Sequence, residues 1–365
     1  MFAPIAYIAW ANQFYGKVRH DFASSGIPNV RWSEVTTDHV DVDAIGAWPS
    51  LREAVARYND VAVAEVCPAM GTSHAIFLAY AAMLSPGDEI LVEHPTYEPL
   101  VRAAEGLGVT VRTFPRRPEV GFALEPDRIG AMLGPRTRAV VVSSLQNPTG
   151  VRADAAALRE IATILEARDG FLLVDEVYAP FDELPADGVF ARSARKIAAN
   201  IVAIGSLTKC YGLGMHRLGW VLGPAPLVER AANAMTATVG HTPLPWAAHG
   251  VVAFRELPKL ARRATQLFAG KRTIVERWIA TVPGASWSAP ESGLFGLVTI
   301  AGAGDLRSRI EILARTHGVL VGAGSFFGVP ESFRLAWAVP TATALEENLL
   351  HLATLSANFR PLRRR

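Results

Sequence analysis

The stretch from Ser206 to Arg217, SLTKCYGLGMHR, follows a short apolar run at residues 200–204 (NIVAI). Lys209 therefore stands just beyond a predicted strand, between small hydroxyl side chains and a glycine-rich turn. Strand ends in an α/β sheet border the ligand crevice, and hydroxyls, a cation and flexible glycines together suit a phosphate group. A lysine alone in such a place is usually a surface residue, so the neighbouring strand ends decide what it means.

Short apolar runs alternate with helix-period segments through the middle of the chain. The runs are rich in β-branched residues, which is typical of strands covered on both faces, and they lie at 89–92, 139–143, 171–174 and 200–204. The helix-period segments lie at 51–58, 72–84 and 153–168. This alternation predicts an α/β fold with a mostly parallel sheet between helices.

The pattern changes after about residue 243. A long helix-like segment over 248–281 is followed by short strand-like runs and two further helices, which is an α+β arrangement. Residues 1–45 show no repeating period and are expected to join this part. We therefore predict a large domain at 46–245 and a smaller α+β domain made of 1–45 and 246–365.

Composition and charge exclude several classes of protein. Half of the 365 residues are apolar, and the formal net charge of +2 gives no indication of nucleic-acid binding. No apolar stretch reaches the ~20 residues of a membrane helix, and the N-terminus lacks the features of a signal peptide. Two cysteines, Cys67 and Cys210, exclude a disulfide framework and a cysteine-based metal site. We expect a cytoplasmic protein without a metal, and a solvated basic tail at 361–365.

Further polar motifs follow the other predicted strands. Asp175-Glu176-Val177-Tyr178 and Asn147-Pro148-Thr149-Gly150 each end an apolar run, Tyr97 follows a third, and Gly71-Thr72-Ser73 begins a helix. Taken singly, each motif has an ordinary structural explanation as a turn, a helix cap or a packing residue. Their common placement at strand ends and helix starts predicts one shared site.

The order and spacing of these motifs resemble those of the class I/II aminotransferases, the fold-type-I enzymes that depend on pyridoxal 5′-phosphate. The resemblance covers about residues 46–340. It implies a large domain with a seven-stranded type of mostly parallel sheet, a smaller α+β domain and a homodimer. It also implies that the substrates are an amino acid and an oxo acid.

The resemblance assigns roles at the cofactor ring. Lys209 would form a Schiff base with pyridoxal phosphate, and Asp175 would pair with the protonated pyridine nitrogen. Asn147 and Tyr178 would hydrogen-bond the phenolic oxygen, while Tyr97 would stack on the ring. A carboxylate beside that nitrogen keeps it protonated, and a lysine displaced by substrate is left close to Cα, where it can move a proton.

The resemblance also assigns the two ends of the site. The phosphate would be held by a helix N-terminus, hydroxyls and a cation, namely Gly71, Thr72, Ser73, Ser206, Thr208 and Arg217. Arg334, in the sequence FRLAW, would grip the substrate carboxylate beside Asn147, since a planar guanidinium binds a carboxylate in bidentate fashion.

Two features depart from the family pattern. Many relatives have a tyrosine shortly before the helix that begins at Leu51, where it reaches the partner subunit's phosphate, and none is present here. The N-terminal arm has the sequence DFASSGIPNVRW, whose Ser24-Ser25-Gly26 and Asn29 spacing is similar to that in a cyclising relative, capreomycidine synthase. The aromatic residues of the N-terminal segment either line a substrate pocket or pack this segment onto the small domain: Trp10, Phe14, Tyr15 and Trp32.

Three functions are compatible with these observations. The leading hypothesis is an aminotransferase that passes an amino group from an amino acid to an oxo acid through Lys209. The alternative is a lyase or cyclase on the same fold, which would eliminate a β or γ substituent or close a ring. An inert cofactor-binding protein is the third hypothesis.

Overall fold

The computed structural model describes residues 2–185, 187–241 and 243–356, so the basic run at 361–365 lies outside the described residues. The helices are α1 Ala6–Ala11, α2 Trp32–Val35, α3 Ala47–Asn59, α4 Gly71–Met83, α5 Glu98–Gly106, α6 Pro126–Ala131, α7 Ala155–Glu166, α8 Ala225–Val239, α9 Leu244–Arg255, α10 Leu257–Phe268, α11 Lys271–Thr281, α12 Arg307–His317 and α13 Ala342–Ala353. The strands are β1 His20–Phe22, β2 Val66–Met70, β3 Glu89–His94, β4 Thr110–Pro115, β5 Thr137–Ser143, β6 Phe171–Asp175, β7 Ile201–Ser206, β8 Leu218–Leu222, β9 Ala285–Trp287, β10 Phe295–Ile300, β11 Val319–Ala323 and β12 Ser332–Ala336.

The large sheet has seven strands in the described part of the chain, in the order β2-β8-β7-β6-β5-β3-β4. β3 to β7 pair in parallel, and β8 runs antiparallel between β2 and β7. The predicted α/β fold with a mostly parallel sheet is confirmed. Each apolar run of the sequence became a strand because helices cover both of its faces.

The alternation of side chains along β3 shows how the two faces are covered. Ile90 and Val92 pack in an apolar cluster with α4 and α8, whereas Leu91 packs in a second cluster with α7. All three side chains have no exposed surface. The large sheet is therefore the middle layer of a helix–sheet–helix sandwich.

A second, smaller sheet of the described chain has the order β1-β11-β12-β10-β9. β1 pairs in parallel with β11, with Asp21 opposite Leu320, so the N-terminal segment joins strands from the far end of the chain. β12 lies in the middle of this sheet and carries Arg334. The expected boundaries at residues 45 and 245 stay a prediction.

The segment predicted as one long helix over 248–281 is divided into α9, α10 and α11. Pro258 occupies the second position of α10, where a helix start tolerates it and a helix interior does not. Gly270 precedes α11 with φ +72°, a left-handed conformation that ends α10 and reverses the chain. The prediction of a single helix was wrong because apolar periodicity continued across both breaks.

Within the residues described, none of the helices is long and apolar enough to cross a membrane.

Candidate active site

The predicted site residues meet at one edge of the large sheet, where its parallel strands end. β5, β6 and β7 lie side by side, with Ser143 opposite Asp175 and Asp175 opposite Ile204. Asn147 follows β5, Asp175 ends β6 and Lys209 follows β7. Residues far apart in the sequence therefore border one crevice, as carboxyl ends of neighbouring parallel strands do.

Lys209 is partly buried in the turn after β7. Burial lowers the pKa of its amine to about 8, and the cations of Arg334 and Arg217 act in the same direction, against the carboxylates of Asp175 and Asp21. A lysine with this pKa supplies a free amine near neutral pH, which is the form that attacks a carbonyl carbon.

Asp175 is a buried carboxylate, only 3% exposed. Its Oδ1 accepts a hydrogen bond from the backbone N–H of Val177 at 3.0 Å. Burial raises the pKa of Asp175 to about 7; the Val177 N–H opposes the rise, Glu93 adds to it and Lys209 opposes it. Among the residues described, no basic side chain forms an ion pair with Asp175. A positively charged ligand atom would supply the missing partner.

Arg334 is the opposite case, a guanidinium on β12 that is 1% exposed. Its Nη1 donates to Asn147 Oδ1 at 2.6 Å, and its Nη2 donates to Tyr7 Oη at 2.7 Å and to the Ala23 carbonyl at 2.6 Å. All three acceptors are uncharged, and the buried Nε has no partner in the described structure. The site thus contains a buried cation that lacks a counter-charge, and a ligand carboxylate would provide one.

The Asn147 amide has a defined orientation. Because a guanidinium carries only donors, the Asn147 oxygen must face Arg334. The amide Nδ2 then points to Tyr178, whose hydroxyl lies 3.4 Å away. Both residues are buried. Asn147 and Tyr178 therefore present hydrogen-bond donors at the same point of the crevice.

A buried ion pair holds the turn that carries Asn147. Glu93 and Arg116 contact each other at 2.9 Å, and both side chains are fully buried. Glu93 also accepts a hydrogen bond from the Ser143 backbone N–H at 2.8 Å, and the Ser143 hydroxyl accepts one from the Asn147 N–H at 3.2 Å. Glu93 carries no sequence signal for this role, because its pairing with Arg116 exists only in the fold.

Three hydroxyl groups meet beside the N-terminus of α4. Thr72 Oγ1 donates to Ser206 Oγ at 3.0 Å, and the hydroxyls of Ser206 and Thr208 are 2.7 Å apart. Ser73 follows Thr72 in the first turn of α4 and is exposed. The helix N-terminus adds backbone N–H groups and the positive end of its dipole, so this cluster suits a phosphate.

Gly71 allows Arg217 to reach the same cluster. β2 and β8 pair with Met70 opposite Leu218, which brings the residues beyond them together. Gly71 has φ +78°, and a Cβ added there would lie 2.4 Å from Arg217 Nη2. Only glycine leaves room for the guanidinium against the backbone here.

Tyr97 immediately precedes α5 and is partly buried. Burial raises the pKa of Tyr97, Tyr7 and Asp175 add to the rise, and the Arg334 cation opposes it. Tyr97 thus lies within electrostatic range of Arg334 and Asp175, two charged residues of the site.

Two N-terminal residues in the site were not identified from the sequence motifs. Tyr7 of α1 contacts Arg334, and Ser25 Oγ lies 2.6 Å from the Tyr178 hydroxyl. The only sequence signal was the unusual Ser24-Ser25-Gly26 spacing, because neither residue follows a strand of the large sheet.

The aromatic residues of the arm differ in their surroundings. Trp10 packs against Phe14 with ring centroids 5.3 Å apart, and both side chains are buried. Trp32 lies 4.8 Å from the His216 ring, and Tyr15 is 47% exposed. Trp10 and Phe14 thus pack the arm rather than line the crevice.

The residues present fit pyridoxal phosphate. Asp175 offers a buried negative charge for a ring nitrogen, and Arg334 offers a buried positive charge for a carboxylate. Lys209 offers an amine on which both of these charges act, and the space that a Gly71 side chain would fill holds Arg217 beside a hydroxyl cluster. The ring nitrogen, the reactive carbon and the phosphate of the cofactor, and the substrate carboxylate, thus each have a side chain in the site that can bind them.

Comparison with known proteins gives the same result. A family model described as "Aminotransferase class I and II" matches residues 34–352. Capreomycidine synthase of Streptomyces vinaceus is 30% identical over 349 residues, which cover 91% of this chain and 88% of that protein. An arginine–pyruvate transaminase of Pseudomonas aeruginosa is 30% identical over 262 residues, or 71% of this chain and 66% of that protein. The structure of a pyridoxal-phosphate-dependent aminotransferase from Streptococcus suis matches with a TM-score of 0.87 at 21% identity, covering 99% of this chain and 100% of the other. The chain belongs to the class I and II aminotransferases.

Proposed function

We propose that the protein transfers an amino group from an amino acid to an oxo acid, with Lys209 as the residue that binds pyridoxal 5′-phosphate covalently. Use of this cofactor and the transferase class follow from the family. The observation that carries the assignment of residues is that two buried charged groups without counter-charges, Asp175 and Arg334, both act on a lysine with a lowered pKa. Such charges are unfavourable unless ligands neutralise them.

Each group has one task in this proposal. Asp175 binds the protonated ring nitrogen, and Asn147 and Tyr178 donate to the phenolic oxygen. Tyr97 covers one face of the ring, and Arg334 orients the substrate by its carboxylate. The phosphate contacts come from the hydroxyl cluster and its neighbours: Gly71, Thr72, Ser73, Ser206, Thr208 and Arg217.

The cofactor, when bound, supplies an electron sink that makes the Cα–H bond of an attached amino acid acidic. The Lys209 amine, released when substrate takes its place, accepts the Cα proton because burial holds its pKa at about 8. By binding the substrate carboxylate, Arg334 would fix which Cα bond stands perpendicular to the cofactor ring, so that the Cα–H bond and not the Cα–carboxylate bond takes that position. Asp175 keeps the ring nitrogen protonated throughout.

A half-reaction assay tests this proposal. Holoenzyme is mixed with one amino acid at a time, beginning with arginine because a relative is named as an arginine–pyruvate transaminase. We expect one equivalent of oxo acid per site and loss of the visible cofactor absorbance, which pyruvate or another oxo acid restores. Continued turnover with the absorbance retained and no oxo acid formed would reject transamination.

The second candidate function is a lyase or cyclase. The similarity to capreomycidine synthase extends over 91% of the chain, which favours it specifically. An arginine that holds the α-carboxylate protects it from loss, so Arg334 is compatible with elimination or ring closure and not with α-decarboxylation. Mass spectrometry of the product in the same assay distinguishes the two functions, since transamination gives an oxo acid that keeps every side-chain atom, whereas elimination loses the β or γ substituent and releases ammonia, and ring closure keeps the amino nitrogen.

We infer that the active form is a homodimer in which an apolar patch beside the phosphate cluster contacts the second copy. The side chains of Ile45 and Met215 are 87% and 79% exposed. Trp48 lies 6.5 Å from Trp246, whose Nε1 donates to the carbonyl of His216, the residue after Met215. Light scattering of the wild type and of Met215→Glu tests this, and a monomeric wild type would reject it.

We also infer that the enzyme works in the cytoplasm. Its two cysteines are buried free thiols within the residues described, which suits a reducing compartment. Cell fractionation with an antibody tests the location.

A further inference from the structure

Residues 21–27, called the strap here, form a turn that closes on itself. Asp21 Oδ1 accepts hydrogen bonds from the backbone N–H groups of Ala23 and Ser24 at 2.8 and 3.0 Å. Asp21 Oδ2 accepts one from the Ser24 hydroxyl at 2.6 Å. Asp21, the first residue of the strap, therefore stabilises its shape, and the Ser24 hydroxyl is already hydrogen-bonded to Asp21.

The strap also contacts three residues of the active site. These hydrogen bonds join Ala23 O to Arg334 Nη2, Ser25 Oγ to Tyr178 Oη and Ile27 N–H to the Lys209 carbonyl. A Cβ placed on Gly26 would lie 3.0 Å from Lys209 Cδ, so the strap lies directly against the lysine. Only the contact made by Ser25 involves a side-chain hydroxyl that can either donate or accept.

The single hydrogen of the Tyr178 hydroxyl limits the hydrogen bonds that it can form with Ser25. A tyrosine hydroxyl has one hydrogen to donate and lone pairs to accept. Asn147 Nδ2, 3.4 Å away, can only donate to it, because Asn147 Oδ1 is held by Arg334. Burial raises the pKa of Tyr178, so the hydroxyl keeps its hydrogen. That hydrogen goes either to Ser25 or to a ligand in the crevice.

We propose that Ser25 is a positioning residue whose hydroxyl donates to Tyr178 and thereby leaves the Tyr178 hydrogen for the phenolic oxygen of pyridoxal phosphate. This rests on the proposed function, in which Tyr178 faces that oxygen. Two donors on the tyrosine oxygen polarise its O–H bond and make it a stronger donor. Ser25 is 4% exposed, so bulk water does not replace it.

The consequence is a shift in the acid–base behaviour of the bound cofactor. A stronger donor at the phenolic oxygen withdraws electron density from it, which weakens its attraction for the proton on the nitrogen that joins Lys209 to the cofactor. Removing the Ser25 hydroxyl therefore makes that nitrogen more basic. The pH midpoint of the visible absorbance should rise by about 0.5 unit, and by about 1 unit when Tyr178→Phe removes the donor itself.

The experiment is a pH titration of visible absorbance on four holoenzymes: wild type, Ser25→Ala, Tyr178→Phe and the double variant. We expect Ser25→Ala to raise the midpoint in the wild-type background and to add nothing in the Tyr178→Phe background. Ser24→Ala is the matched control, since its hydroxyl bonds Asp21 instead, and its midpoint should stay unchanged. Ser25→Thr, which keeps a hydroxyl, should restore the midpoint.

The outcomes separate this inference from the proposed function. A native midpoint for Ser25→Ala together with a raised one for Tyr178→Phe overturns the role of Ser25 and leaves the assignment of Tyr178 intact. Equal shifts in both backgrounds also overturn it, because Ser25 would then act without Tyr178. Native midpoints for both single variants would reject the placement of Tyr178 itself. Should Ser25→Ala not fold, Ser25→Cys, similar in size with a weaker donor, takes its place and should give a smaller rise.

Discussion

Replacing Asp175 by asparagine should stabilise the cofactor-free protein at alkaline pH while removing its transaminase activity. Asp175 is buried, and its pKa rises from 3.8 to about 7, mainly through burial. The folded protein therefore holds this proton more tightly than the unfolded chain does. Between these two pKa values the unfolded state is ionised and the native state is not, so the free energy of unfolding falls as the pH rises through this window.

The magnitude follows from the two pKa values. The raised pKa of Asp175 lowers the free energy of unfolding by about 4 kcal/mol at pH 8 and by about 2 kcal/mol at pH 5. Asparagine avoids this cost and can keep the bond from the Val177 N–H, but its buried amide N–H groups lack partners, which costs about 1–2 kcal/mol at any pH. The net gain is about 2 kcal/mol at pH 8 and close to zero at pH 5.

The assay is urea unfolding of the apoprotein at pH 5 and pH 8, followed by circular dichroism. Glu176→Gln is the matched control, because Glu176 is the next residue, is also buried, and has a pKa that burial raises to about 7. Its carboxylate accepts a hydrogen bond from the Ser193 hydroxyl at 2.8 Å. We expect both variants to weaken the pH dependence of stability, and only Asp175→Asn to lose cofactor affinity and activity.

The test is the difference between the stability gained by Asp175→Asn at pH 8 and at pH 5, because the cost of the unpaired amide is the same at both pH values. If Asp175→Asn gains no more stability over wild type at pH 8 than at pH 5, Asp175 is not an unpaired buried anion in the free protein. If the variant keeps full activity, the negative charge is not needed at the ring nitrogen. Either result would refute the reasoning.

Three further changes test other parts of the site. Lys209→Ala should abolish the covalent attachment of cofactor that the wild type shows by protein mass spectrometry after borohydride reduction and dialysis; retention of that added mass would place the cofactor on another residue. Gly71→Ala should displace Arg217 and raise the cofactor dissociation constant at least tenfold by equilibrium dialysis, since the new Cβ would lie 2.4 Å from the guanidinium. Glu93→Ala should lower the free energy of unfolding by about 3–5 kcal/mol, because Arg116 is left charged and buried; a loss below 1 kcal/mol in urea unfolding would contradict this.

The sheet could be predicted from the sequence because its signal is local. Each predicted strand is a continuous apolar run that ends at a polar motif, and such a run is stable only when covered on both faces. Asp175, Asn147 and Lys209 were placed in one crevice for the same reason, since parallel strands end at one edge. The division of 248–281 into three helices was missed, because the breaks at Pro258 and Gly270 do not interrupt the apolar periodicity.

Other features depend on contacts between distant parts of the chain. Tyr7 and Arg334 are 327 residues apart, and Ser25 and Tyr178 are 153 apart, so no local pattern records either contact. The raised pKa of Asp175 has the same origin, because a carboxylate in a sequence motif has no defined environment until helices and strands remove it from water.

The sequence by itself determined which side chains are available to bind pyridoxal phosphate and at which strand ends they stand. The tertiary structure alone decided their electrostatic state and their partners. It buried Asp175 and Arg334 without counter-charges, lowered the pKa of Lys209, and laid the strap with Ser25 against Tyr178. The physical reason is that residue type and strand order are local properties, whereas desolvation and hydrogen bonding depend on every segment that packs around a group.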